Sequence, residues 1–144
     1  MRISYSDEED FPGQFGLWQG NCMRSIGGKN GQAVLRELEQ ALLALPEKRL
    51  IADELENAEG EVCAIGALAK FRQYQPKADP EEMEEVGIEL GMPRMVAWKV
   101  VCLNDVELDT RYDKEQGRVV PITPEERYER VLAQVRKWLK GDKQ

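Results

Sequence analysis

The chain has 144 residues, 33% of them charged and 42% hydrophobic, with a formal charge of -7, so one core under a heavily charged surface is expected. Histidine is absent, which excludes Ser-His-Asp triads, Cys-His dyads and imidazole metal sites. The longest stretch free of charged or amide side chains, Val62 to Ala69, falls far short of the about 20 residues a bilayer-spanning helix needs.

Residues 1–10 carry Asp7, Glu8, Glu9 and Asp10 where a signal peptide would be apolar, and read as a flexible acidic arm on a cytosolic protein. Residues 11–144 read as one helical domain. Phe11, Phe15, Trp18, Cys22 and Ile26 recur at helical steps. Pro12 suits a first turn, and Gly27-Gly28 ends that helix. Asn30-Gly31 can start the next, whose stripe is Val34, Leu35, Leu38, Ala41, Leu42 and Leu45, stopped by Pro46. Leu50 to Gly60 fits a short helix or one arm of a hairpin. Val62 to Ala69 is rich in alanine and glycine, as in a helix packed against another backbone; a buried strand paired with Leu50 to Leu55 fits as well.

Asp79-Pro80 opens a helix rich in glutamate that Gly91 ends. Pro93 opens another, and Met92 to Leu103 is apolar almost all round, as in a segment crossing the core. Asn104-Asp105 starts a polar loop to about Pro121. Thr123-Pro124-Glu125-Glu126 is a capping box with proline at the first helical position. Tyr128, Val131, Leu132, Val135, Trp138 and Leu139 supply the stripe that follows. The expected fold is all-α: five or six helices around one core, with room for one small β-hairpin near residues 50–65.

Charge is distributed unevenly. Asp7 to Asp10, Asp53 to Glu61 (Asp53, Glu54, Glu56, Glu59, Glu61) and Asp79 to Glu89 (Asp79, Glu81, Glu82, Glu84, Glu85, Glu89) hold 15 of the 27 acids and no Lys or Arg. The rest of the chain is net basic. Converging windows would form a negative face that attracts a basic partner, while scattered ones would only aid solubility.

Glu81/Glu84 and Glu82/Glu85 also have the spacing of paired carboxylates on one helix face, as in Mg²⁺-dependent all-α nucleotide hydrolases. Asp105 and Asp109 are the available second pair. Ser25 to Gln32 is a glycine-rich connector feeding a helix, without the P-loop spacing. The C-terminal helix carries Arg127, Arg130, Arg136, Lys137, Lys140 and Lys143, but interleaved glutamates and the negative total charge argue against nucleic acid. Cys22, Cys63 and Cys102 form no CxxC pair and read as reduced core thiols. Trp18, Trp98 and Trp138 read as core residues.

Taken as a set, Phe15 to Trp18, Asn21-Cys22, Gly31-Gln32 into Leu35 to Leu38, Leu45 to Ile51, Gly60 to Ala67, Leu103 to Asp105 and Thr123 to Tyr128 resemble an uncharacterised family of small phage and prophage proteins. The resemblance runs from about Phe15 to Trp138. It transfers no catalytic residue and no cofactor. It implies an origin in a mobile element and, by analogy, a non-enzymatic protein that binds a host or defence protein with a basic surface, as anti-CRISPR and other anti-defence inhibitors do. The runner-up readings are the nucleotide hydrolase and a structural or regulatory phage component.

Overall fold

The computed structural model describes residues 12–107 and 110–139, with side chains described for residues 20–105 and 110–139. The predicted arm at residues 1–10, Asp109, Lys140 and Lys143 lie outside the described residues, as does the side chain of Trp18.

The expected helical period yields α1 (Pro12–Gly27) and α2 (Lys29–Ala44), joined by Gly28 alone. A Cβ on Gly31 would stand 2.1 Å from the carbonyl oxygen of Ser25, so only glycine lets the two backbones approach this closely. The buried amide of Gln32 fixes the corner, its Nε2 donating to the carbonyls of Ile26 at 2.9 Å and Trp138 at 2.8 Å. At the far end Pro46 forces Leu45 out of the helical region, to φ −63° and ψ 135°, and α2 stops.

An irregular segment then runs from Leu50 to Val62. It ends at α3 (Ala64–Phe71), whose residues Ala64 to Ala69 are all buried. Cys63 caps this helix, its Sγ accepting the N–H of Gly66 at 3.4 Å. The small residues serve the close packing that the sequence suggested: a Cβ on Gly66 would meet the Leu55 oxygen at 2.3 Å. α4 (Met83–Glu89), α5 (Arg94–Cys102) and one π-helical turn (Leu103–Glu107) follow. Next come β1 (Thr110–Asp113) and β2 (Arg118–Pro121), antiparallel with Tyr112 opposite Val119. α6 (Pro124–Trp138) has the full predicted capping box on Thr123 and Glu126.

The fold is therefore all-α with one small hairpin. The core joins Leu35, Leu38 and Leu42 of α2 to Ile65 and Leu68 of α3, Val96 and Val100 of α5, and Val131 and Val135 of α6. Tyr128 donates its hydroxyl to the Leu42 carbonyl at 3.0 Å, tying α6 to α2. Among the described residues no helix is long and apolar enough to cross a membrane.

The hairpin sits at residues 110–121, not near 50–65, and occupies most of the expected polar loop. Between Leu50 and Val62 there is one isolated bridge, Glu56 to Val62, flanked by the bonds Ile51 N–H to Val62 O and Cys63 N–H to Leu55 O. The pairing goes no further because Ala64 to Ala69 is helical and Asp53 turns the chain at φ 68°.

Asn104, only 2% exposed, holds this region. Its Oδ1 accepts the N–H of Ala64 at 3.0 Å, its Nδ2 donates to Ile51 O at 2.9 Å, and its own carbonyl accepts the guanidinium of buried Arg127. Replacing Asn104 with Ala orphans the Ala64 N–H and the Ile51 carbonyl. Each orphaned buried group costs about 1–3 kcal/mol, and urea unfolding is expected to show that loss. Gly66→Ala is expected to lose about 1–3 kcal/mol through overpacking against Leu55, read in the same experiment.

Candidate interaction surface

Each predicted acid has a definite place. In the first window Glu56 pairs with Lys70 at 3.1 Å, and Glu61 with Arg49 at 2.9 Å. Arg49 also reaches Glu125 at 3.2 Å, tying the window to α6. Asn57 organises the tip, its Oδ1 accepting the N–H groups of Glu59 and Glu61. The side chains of Asp53, Glu54 and Glu59 are exposed and have no cationic partner among the described residues. The backbone of Asp53 donates to Asp105 Oδ1 at 3.1 Å, so a further carboxylate stands beside this window.

In the second window Glu85 pairs with Arg94 at 3.2 Å. Glu89 accepts the Tyr74 hydroxyl at 2.5 Å and the N–H groups of Lys77 at 2.8 Å and Ala78 at 3.0 Å. It holds the segment before α4 in place. Asp79 Oδ1 accepts the N–H of Glu81 at 2.9 Å, and its carbonyl accepts that of Glu82. This turn delays the helix: it begins at Met83 rather than at Asp79-Pro80. Glu81, Glu82 and Glu84 have no ion pair among the described residues, and with Glu85, Met83 and Val101 they line an open cleft of about 360 Å³.

The chain just beyond the first window touches the second in the interior, beneath the acids. Cys63, two residues after Glu61, places its Sγ 3.9 Å from Sδ of Met83, the first residue of α4. The predicted acids thus divide by role. Glu56, Glu61 and Glu85 are ion-paired and Asp79 and Glu89 accept backbone N–H groups, whereas Asp53, Glu54, Glu59, Glu81 and Glu82 are exposed and Glu84 half-buried without a cation among the described residues.

Paired carboxylates on one helix face do not arise at Glu81/Glu84, because Glu81 lies in the turn before α4 and Glu82 is its N-cap. Asp105 is engaged by Asp53 and by Asn104 Nδ2 at 2.7 Å. Among the described residues no group of three or more His, Cys, Asp or Glu side chains is placed to hold a metal ion. Burial pushes the Cys63 thiol up to about 12, keeping it protonated and poorly nucleophilic. Cys22 is buried like Cys63, and Cys102 is half-buried. On α6, Arg136 pairs with Glu39 at 2.7 Å and Arg127 is buried against Asn104, so two of the predicted basic side chains serve packing. Trp138 is buried and Trp98 half-buried.

Sequence reasoning missed the roles of Asn104 and Asn57 and read Arg127 as part of a basic helix face. They shape the surface from beneath, and their polar character resembled that of any loop or helix surface.

No family model matches the chain, and neither curated proteins nor solved structures contain a significant match. The resemblance to phage and prophage proteins therefore rests on the motifs alone.

Glu89 is held below the usual carboxylate range by the Tyr74 hydroxyl first, then by the Lys77 and Ala78 N–H groups. The Thr123 backbone N–H does the same for Glu126, and the Arg72 guanidinium for Glu37. A lowered folded-state pKa contributes stability that is complete above the ordinary carboxylate pKa and is lost as pH falls through the folded value. Amide exchange at Lys77 and Ala78, corrected for its intrinsic pH dependence, is expected to accelerate selectively on acidification. In Glu89→Gln that exchange is expected to be fast already at neutral pH, with little further acid dependence.

Proposed function

We propose that this chain is a non-enzymatic binding protein of phage or prophage origin that acts inside the bacterial cell and occludes a basic surface of a host or defence protein. The observation that carries this reading is the division of the acids. Asp53, Glu54, Glu59, Glu81, Glu82 and Glu84 lack cationic partners among the described residues, although basic side chains elsewhere in the chain neutralise their neighbours. The Cys63–Met83 contact brings the chain that follows the first window against the second. Unneutralised carboxylates on a net-negative chain speed encounter with a positive partner and orient it, with strong salt dependence. A surface that normally receives nucleic acid phosphates is the natural target for such a face. The resemblance to phage and prophage proteins supports the host setting.

The test is a charge reversal that spares the ion pairs. Glu81→Lys, Glu82→Lys and Glu84→Lys together leave the Glu85–Arg94 pair and the Glu89 bonds in place. Affinity purification from a lysate of the bacterial host is expected to recover a basic protein with the native chain and to lose it with the triple variant. Raising salt is expected to release that partner from the native chain. A partner retained equally by both chains would place the binding surface elsewhere.

A further inference from the structure

We propose that the β1–β2 hairpin is a dimerisation arm, with β1 of one copy pairing antiparallel to β1 of a second copy about Tyr112. Opposed residues share a face, so Thr110, Tyr112, Val119 and Pro121 form the outer face, and all four are exposed. Tyr112 is 60% exposed and Val119 58%. The other face is anchored: Val120 is buried, and Arg111 pairs with Glu126 of α6 at 2.7 Å. A two-stranded sheet gains stability from a third strand on its open edge. Among the described residues no backbone hydrogen bond outside the β1–β2 ladder reaches either strand except Asp113 O from Gly117 N–H, in the turn.

The sequence of β1 selects the occupant. β2 ends on Pro121, which has no N–H to give a new ladder. β1 is self-complementary when two copies cross at Tyr112. Tyr112 then stands opposite its own copy on the outer face, and Arg111 stands opposite Asp113 of the second copy, twice, on the other. A crossing at Arg111 would instead set like charges against each other. Within one copy Arg111 is 4.0 Å from Asp113. Asp113 also accepts the N–H groups of Glu115 and Gln116 and the Gln116 side-chain amide. The guanidinium of a second copy would join these contacts without disturbing the turn. The arrangement has two-fold symmetry and closes on itself.

Sedimentation of the full chain from low to high micromolar concentration is expected to show a reversible monomer–dimer equilibrium, weakened about tenfold or more by Tyr112→Asp. Opposed residues in an antiparallel pair have Cα atoms about 4.5–5.5 Å apart, within disulfide reach. Tyr112→Cys is therefore expected to form a disulfide-linked dimer on mild oxidation, well ahead of Val119→Cys and of the native chain. Both sites are exposed, so helical circular dichroism is expected to be unchanged. A chain that stays monomeric throughout overturns the proposal. So does a dimer that tolerates Tyr112→Asp, or Tyr112→Cys linking no faster than Val119→Cys.

Discussion

One buried amide coordinates three parts of this protein. Asn104 accepts from the first N–H of α3, donates to the strand-like segment at Ile51, and offers its backbone carbonyl to Arg127 of α6. Groups of this kind are expensive to bury unless every donor and acceptor is matched. Asn104 matches them across long separations in sequence. The register of the segment from Leu50 to Val62 follows from it, because a shift would break the Ile51 bond and lift Leu55 off Gly66. The first acidic window is thus held in one conformation although little of it is regular secondary structure.

That rigidity gives the acidic surface its character. A mobile run of carboxylates would spread its charge and lose entropy on meeting a partner. Here Arg49, Lys70 and Arg94 clamp Glu61, Glu56 and Glu85, and the remaining carboxylates ride on the fixed frame. Each clamp is exposed enough to contribute little stability by itself. Its value is geometric: it fixes where the paired carboxylate sits.

The helices were legible wherever a 3.6-residue apolar stripe met a clear boundary, as at the Pro46 stop of α2 and the Thr123 cap that starts α6. The hairpin was hidden because Arg111 and Asp113 occupy the face turned toward the protein, satisfied by Glu126 and by the turn, so the usual alternation of apolar and polar residues was lost. The boundary of α4 was misplaced because Asp79 uses its carboxylate to build a turn before the helix instead of capping it. The acids could be counted from the sequence but not sorted. Their cations lie 9 to 14 residues away, and nothing local marks Glu61 as bound to Arg49 while Glu59 has no cation among the described residues.

The α1–α2 corner has a consequence for biosynthesis. One Gln32 amide serves both the Ile26 carbonyl beside it and the Trp138 carbonyl near the other end of the described chain. During translation the first two helices emerge long before Trp138 does, and domains of this size complete their folding as units. The amino-terminal pair must wait, hydrated at that amide, until α6 clears the ribosomal exit tunnel. The α1–α2 corner is therefore sealed only once α6 is available, and not when its own two helices form.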